Sequence, residues 1–135
     1  MDKSVEVLQL KGFQGDKMKI AQLAFPGLPF IPVFSAVHFD FEPGAIMGFG
    51  VFWNTSQVIM CISGSCMVKT LKGGQSEVFN LTSPLNALYI EQGIWFELFN
   101  FSDNASVQIL YSRNPSEADF SSDFNEYLNK NNFTS

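Results

Sequence analysis

Between residues 34 and 111 the chain consists of short apolar or alternating segments separated by turn residues. The segment "VFSAVHFDF" alternates and ends at "EPG", while Gly73-Gly74 separates "CMVKTLK" from "SEVFNL". Many short strands at regular spacing are typical of an all-β sandwich or barrel. The chain also holds fifteen phenylalanines, and aromatic residues favour strands. The other strands predicted in this region are "MGFGVFWN", "SQVIMCIS", "ALYIEQ", "IWFELFNF" and "SVQILYS".

The amino-terminal part predicts two further strands. The segment "SVEVLQLKGF" alternates and is predicted as one strand, and "DKMKIAQLAF" as another after a turn at Gly15-Asp16. The next segment, "PGLPFIP", carries three prolines, which cannot donate backbone hydrogen bonds. It is therefore predicted as an extended connection or a sheet edge.

The carboxyl-terminal segment "PSEADFSSDFNEYLN" changes to a helical period. Ser116 and Asp119 resemble a capping box, which predicts a helix over 116–129. Residues 130–135 are predicted to be a frayed tail, and residues 1–135 to form one domain. The predicted apolar stripe of the helix consists of Phe120, Phe124, Tyr127 and Leu128.

The charge balance limits the classes of partner. The net charge is −5, from thirteen acidic and eight basic residues, and there is no basic run. Nucleic acid and anionic membrane surfaces are therefore not expected partners, since both require clustered Lys and Arg. No apolar run approaches the roughly 20 residues that cross a bilayer, and the first residues do not resemble a signal peptide. We expect a cytoplasmic protein in which Cys61 and Cys66 are free thiols.

Few residues are suited to catalysis. His38 is the sole histidine, so with Cys61 and Cys66 it does not make a convincing metal site. His38 is interpreted either as a structural histidine or as a general acid or base. The structural interpretation is favoured because no second titratable group is fixed near it. Glu91 and Glu97 could line an interior, although a solvated strand end is more common for a glutamate.

Several stretches together resemble the sugar 3,4-ketoisomerases (WxcM-like), small cupins that act on dTDP-4-keto-6-deoxyglucose. The spacing from Gln57 through Cys61 to Gly64-Ser65-Cys66 is the most specific part of the resemblance. The matching stretches are "LPFIPVFSAVHFDF", "GFGVFWNTSQVIMCISGSCMV", "LTSPLNALYIEQGIWFELFNFS" and "EADFSSDFNEYL".

The resemblance implies a cupin double-stranded β-helix (jelly roll) with a short carboxyl-terminal helix. It further implies a homodimer that binds a nucleotide-sugar (a dTDP-hexose) and needs neither metal nor other cofactor. The family reaction moves a carbonyl from C4 to C3 of the hexose, so a base must remove the C3 proton and an acid must protonate C4. Histidines suit this task because their pKa lies near neutrality.

The sequence departs from the family at the positions that perform this chemistry. The two family histidines fall on Gly50 and Phe52, and the histidine after the tryptophan falls on Phe96. Because phenylalanine cannot transfer a proton, the family mechanism cannot use these positions. Other family polar positions fall on Met47, Ala36, Val37 and Ser56. By family position, the expected pocket-lining residues are Ala36, Met47, Gly50, Phe52, Gln57 and Phe96.

Three functional hypotheses follow. The first is a catalytically degenerate ketoisomerase-like cupin, which binds a nucleotide-sugar or serves as a partner protein in deoxysugar or glycan biosynthesis. The second is an active sugar-nucleotide isomerase in which His38, Glu91 or Glu97 supplies the acid–base chemistry.

The third hypothesis is a structural dimerisation module. If Phe49, Val51 and Trp53 point outward, they form an apolar strip that a monomer would leave in water. A homodimer is predicted under all three hypotheses.

Overall fold

The computed structural model describes residues 4–15, 18–22 and 28–130. Their strands form two five-stranded antiparallel sheets and a separate hairpin. The strands are β1 Val5–Gln9, β2 Lys11–Gly15, β3 Met18–Gln22, β4 Phe34–Phe39, β5 Met47–Phe52, β6 Gln57–Ser63, β7 Cys66–Lys72, β8 Gln75–Leu81, β9 Asn86–Ile90, β10 Trp95–Phe99, β11 Ser106–Tyr111 and β12 Phe120–Ser121.

The strand order confirms the predicted jelly roll. The first sheet has the order β1-β9-β6-β11-β4, the second has the order β12-β5-β10-β7-β8, and β2 pairs with β3. Consecutive strands β5 and β6 lie in different sheets, and so do β6 and β7, so the chain crosses repeatedly between the two layers. The two layers therefore share one core, with a cavity between them near β5 and β10.

Strand β6 shows how the sequence directs its side chains. Successive side chains of a strand point to opposite faces. Ile59 and Cys61 belong to the main core between the sheets. Val58 and Met60 belong to a second cluster on the other face, which includes Phe30 and other residues of the amino-terminal part. A strand that is buried on both faces has a continuous apolar sequence, and β6 has one.

The two cysteines are free and buried in the main core. The thiol of Cys61 donates to the carbonyl oxygen of Ser63, with 3.2 Å between sulfur and oxygen. The neighbouring Cys61 thiol and burial raise the pKa of the Cys66 thiol, so Cys66 stays protonated.

The prediction of a helix over 116–129 is wrong in its first half. Residues Glu117–Asp119 form a single 3₁₀ turn, β12 follows, and helix α1 spans only Phe124–Lys130. The actual N-cap is Asp123, whose carboxylate accepts from the backbone N–H groups of Asn125 and Glu126 at 3.0 and 3.2 Å. The predicted helix start fails because Asp119 bonds to a distant loop and Phe120 pairs with β5.

Helix α1 covers the outer face of β5. Tyr127 is buried against Val51 and Trp95, and its ring stacks on Trp53 with 6.4 Å between ring centroids. The expected outward strip is therefore largely covered, and only Phe49 of the three stays exposed. Val51 and Trp53 do lie on the outer face of β5, but α1 packs on them, so they do not form an open apolar strip.

The amino-terminal prediction is partly corrected. The segment "SVEVLQLKGF" forms two strands, because β1 ends at Gln9 and β2 begins at Lys11. Between them, the N–H of Leu10 donates to the carbonyl of Leu85 at 2.6 Å. The predicted tail beyond Lys130, the second half of the turn at Gly15-Asp16 and the first proline of "PGLPFIP" lie outside the described residues.

Candidate functional site

A cavity of about 290 Å³ opens between the two sheets, at the end where β5, β6 and β10 meet β11 and β12. Its walls are mostly apolar, and among the residues that the structure describes no charged side chain lines it. The lining residues are Met47, Gly48, Phe52, Gln57, Phe96, Ile109, Tyr111 and Phe120.

Four of the six positions expected to line a pocket do so, namely Met47, Phe52, Gln57 and Phe96. Ala36 instead packs at the side of the main core. Gly50 lies directly opposite Phe96 in the pairing of β5 with β10, and it is buried.

Three phenylalanines form one wall of the cavity. The ring centroid of Phe52 lies 5.9 Å from that of Phe96 and 5.1 Å from that of Phe120. The centroids of Phe96 and Phe120 are 6.3 Å apart, with the rings edge to face. These are favourable distances for aromatic pairs, so the wall is a packed cluster. Two of its three members, Phe52 and Phe96, are among the positions expected to line a pocket.

Two glycines make room for these rings. A Cβ built on Gly50 would collide with Cζ of Phe120 and with the backbone carbonyl oxygen of Ser121, and a Cβ built on Gly48 would collide with the ring of Phe96. Gly48 also has a φ of 81°, a conformation that L side chains rarely adopt. The pairing of β5 with β10 shifts register here, and Phe49 at the shift has a φ of 55°. The backbone of β5 is thus shaped to accept phenylalanine rings.

Gln57 is the polar exception in the cavity wall. It is 2% exposed, and its Oε1 accepts no hydrogen bond from the part of the chain that the structure describes. It lies directly opposite Tyr111 in the pairing of β6 with β11. Burial raises the pKa of Tyr111 to about 12, so its hydroxyl is neutral at physiological pH. The cavity lining therefore includes one residue with an unpaired acceptor and one with a neutral hydroxyl.

The three titratable candidates lie away from the cavity lining. His38 pairs with Val107 across β4 and β11; burial lowers its pKa, and its Nε2 is buried without a described hydrogen-bond partner. Glu97 accepts a hydrogen bond from the indole N–H of Trp95 at 3.2 Å. Glu91 is exposed just after β9.

A larger groove of about 550 Å³ lies elsewhere, between the start of β1 and strands β7 and β8. It is an open, polar surface groove that shares no lining residue with the cavity. Among the described residues no cluster of His, Cys, Asp or Glu could hold a metal ion. The described helices include none that is long and apolar enough to span a membrane.

Sequence reasoning missed four lining residues. Ile109 and Tyr111 could have been found, because they alternate with polar or outward residues in "SVQILYS" and share one face. Gly48 carried no signal of its own. Phe120 was assigned to the stripe of a helix, and no local pattern indicated that it would enter the cavity wall.

Two antiparallel sheets that enclose a cavity at one end define a cupin-like jelly roll. Comparison with protein families narrows this class. The family model described as FdtA, WxcM-like, C-terminal, matches residues 3–132. The chain therefore belongs to the WxcM-like C-terminal family.

Individual relatives agree with this assignment. A TDP-4-oxo-6-deoxy-alpha-D-glucose-3,4-oxoisomerase of Aneurinibacillus thermoaerophilus is 30% identical over 97 residues, which are 70% of this chain and 70% of that protein. The structure of WlaRB, a TDP-quinovose 3,4-ketoisomerase of Campylobacter jejuni, superposes with a TM-score of 0.88 at 27% identity. The match covers 95% of this chain and 99% of that one.

A third similar structure includes a ligand. It is a mutant of the 3,4-ketoisomerase QdtA of Thermoanaerobacterium thermosaccharolyticum in complex with TDP-4-keto-6-deoxyglucose. Its TM-score is 0.90 at 19% identity, covering 96% of this chain and 95% of that one. At this identity the likeness concerns the fold.

Proposed function

We propose that this protein is a catalytically degenerate member of the sugar 3,4-ketoisomerase family, which binds a nucleotide-sugar without isomerising it. The observation that carries the proposal is the phenylalanine cluster of Phe52, Phe96 and Phe120 in the cavity wall. In the family, proton-transfer groups occupy two of these positions, so the site has lost the groups that the reaction needs.

The chemistry of the remaining wall supports the proposal. Moving a carbonyl between adjacent carbons needs one group to remove a proton and one to deliver it, both with a pKa near the working pH. Among the described lining residues only Tyr111 titrates, and its pKa of about 12 makes it a poor partner for either step. His38, Glu91 and Glu97 do not line the cavity.

The ligand class rests on the relatives. The names of the oxoisomerase and of WlaRB specify TDP-sugars, and QdtA was crystallised with one. The apolar cavity suits the sugar end of such a ligand better than its pyrophosphate, since burying an unpaired charge is costly. The diphosphate would therefore lie outside the cavity. By binding the ligand in this way, the protein would also be able to act as the partner of an active homologue.

Two measurements test this proposal. The first is a thermal-shift screen with dTDP, dTDP-glucose and other nucleotide-sugars. A ligand at a hundred times its Kd should stabilise the fold by about 2.7 kcal/mol. The absence of a shift with every one of them would refute nucleotide-sugar binding.

The second measurement is deuterium exchange at C3 of the 4-keto sugar in D₂O. We expect no exchange above that of the buffer. Exchange that is lost in His38→Gln but kept in Gln108→Leu would instead establish the alternative, an active isomerase with rewired acid–base groups.

We also propose that the protein is a homodimer that uses the outer side of β4. This strand lies at the edge of its sheet, and Val37 and Phe39 are 47% and 63% exposed. An exposed apolar edge strand is a ready pairing surface. Sedimentation at micromolar concentration should give a dimer, and Phe39→Lys should give a monomer. A monomeric wild type would disprove this proposal.

The free thiols support a reducing compartment for this role. Cys61 lies inside β6, Cys66 begins β7 after a two-residue connection, and the two form no disulfide with each other. Disulfides are rare in the cytosol, where thiols are kept reduced. We therefore propose the cytoplasm as the location, which fractionation of the native host would test.

A further inference from the structure

The side chain of Gln57 is an unusual feature of the cavity. A buried polar atom normally has a hydrogen-bond partner, because leaving it unpaired costs free energy. The side chain of Gln57 is only 2% exposed, and its Oε1 accepts no hydrogen bond from the described residues. Because Gln57 lines the cavity, a ligand that donates a hydrogen bond would remove this penalty once the amide turns towards it.

The surroundings of Gln57 restrict what that ligand can be. The facing walls are formed by Met47, Ile109 and the three cavity phenylalanines, and none of the described side chains that line the cavity carries a charge. Charged ligands would lose their hydration without gaining a counter-charge. A ring with many hydroxyls would leave most of them unpaired against these walls.

The cavity volume limits the size of the ligand. It measures about 290 Å³. An engineered apolar cavity of about 150 Å³ already binds benzene. A single substituted aromatic ring, or a group of similar size, therefore fits here, whereas a disaccharide or a nucleotide does not.

We propose that the cavity binds a small, neutral and mostly apolar molecule or group that donates one hydrogen bond to Oε1 of Gln57, with the size and chemistry of a phenol. The inference rests on the proposed function in one respect, namely that this cavity is the site at which the ligand binds. It adds to that function a criterion for which ligands the cavity binds. A deoxysugar would enter by its methyl-bearing edge, with a single hydroxyl directed at Gln57.

Binding of a matched pair of probes tests this inference. p-Cresol and p-xylene have the same shape, and differ in that a hydroxyl of the first is a methyl group in the second. Calorimetry or NMR titration of the whole chain gives the ratio of their two Kd values. The Gln57→Leu substitution removes the acceptor. It should therefore weaken the binding of p-cresol relative to that of p-xylene about tenfold, which is the effect of one net hydrogen bond.

Gln108→Leu is the matched control variant. Gln108 lies beside Ile109 on β11, but its amide donates to the hydroxyl of Ser35 and it does not line the cavity. The same Gln-to-Leu change there should leave the ratio unaltered. If Gln57→Leu does not fold, wild-type binding of 4-methylanisole, which has no donor, should be about tenfold weaker than that of p-cresol.

Two results would overturn the inference: a ratio that is the same in the wild type and Gln57→Leu, or no binding of either probe up to its solubility limit. Neither probe is a nucleotide-sugar, so these outcomes are independent of the test for isomerisation. C3 exchange together with a Gln57-dependent preference for p-cresol would remove the proposed function and leave this inference intact.

Discussion

The carboxylate of Asp119 accepts a hydrogen bond from the hydroxyl of Thr55, with 2.6 Å between the two oxygens. Its other oxygen accepts from the backbone N–H and the side-chain amide of Asn54, both at 2.8 Å. The carboxylate of Asp119 therefore accepts three hydrogen bonds, which join the carboxyl-terminal segment to the loop after β5. Because Phe120 is the next residue, these bonds also hold its ring in the cavity wall.

Asp119→Ala is expected to lower the free energy of unfolding by about 2–4 kcal/mol, since hydrogen bonds to charged groups contribute about 1.5–3 kcal/mol each and are not additive. Urea denaturation measures the loss. Asp103→Ala, an exposed aspartate in the turn before β11, is the control and should change stability by less than about 0.5 kcal/mol. Equal effects of the two substitutions would contradict the role of Asp119.

Gly50→His should destabilise the fold by at least about 1–3 kcal/mol, because its side chain collides with Phe120. Combining it with Phe120→Ala should remove part of this cost, since the smaller residue vacates the space. The coupling energy of the double-mutant cycle should exceed about 1 kcal/mol.

The control for this cycle pairs Gly50→His with Phe124→Ala, whose ring lies on α1 and contacts Trp95. That pair should be additive within about 0.5 kcal/mol. Additivity in the Phe120 cycle would mean that Gly50 and Phe120 do not compete for space.

Stability should fall as the pH is lowered through the range just below 6.5. Burial lowers the pKa of His38 in the folded state, so the unfolded chain binds a proton first. The contribution of His38 to the free energy of unfolding is present above its pKa in the unfolded chain, near 6.5. It is lost as the pH falls towards the lower pKa of His38 in the folded protein. His38 is the sole histidine, so chemical denaturation of His38→Gln should show a flatter profile between pH 7 and 5.5. If the slope of stability against pH is the same in His38→Gln as in the wild type, the titration of His38 is not the cause of the pH dependence.

Tyr127→Phe should cost about 1 kcal/mol, because the hydroxyl of Tyr127 donates to the carbonyl of Leu71 at 2.6 Å. Tyr127→Ala should cost more, about 3–5 kcal/mol, since the buried ring covers Val51 and Trp95. Thermal unfolding distinguishes the two variants. A Tyr127→Ala variant as stable as Tyr127→Phe would indicate that α1 does not hold the outer face of β5.

The strands were predictable because their signals are local. Alternation in "VFSAVHFDF" and the glycines at Gly73-Gly74 fix a strand and a turn through residues next to each other in the chain. The start of α1 was not predictable for the opposite reason. Phe120 has helical spacing from Phe124, but its conformation is set by pairing with Phe52 and by the bonds of Asp119 to a loop more than sixty residues away.

The candidate site was predictable only through family positions. These indicated six residues, of which Met47, Phe52, Gln57 and Phe96 line the cavity, whereas Ala36 and Gly50 do not. The unpaired acceptor of Gln57 could not be foreseen, because whether a buried amide is satisfied depends on which neighbours the fold places around it. The roles of these residues as a binding site stay predictions until a ligand is measured.

The mutual exclusion between a side chain at position 50 and the ring of Phe120 has a consequence for the order in which substitutions can accumulate. A histidine introduced at position 50 meets both the ring of Phe120 and the carbonyl oxygen of Ser121, so its benefit depends on a prior change at position 120 together with a shift of the β12 backbone. The reverse holds for a small residue at 120, which leaves a void until position 50 fills it. Laboratory evolution towards isomerase activity should therefore proceed through a permissive change in the carboxyl-terminal segment, and selection for single substitutions alone should stall.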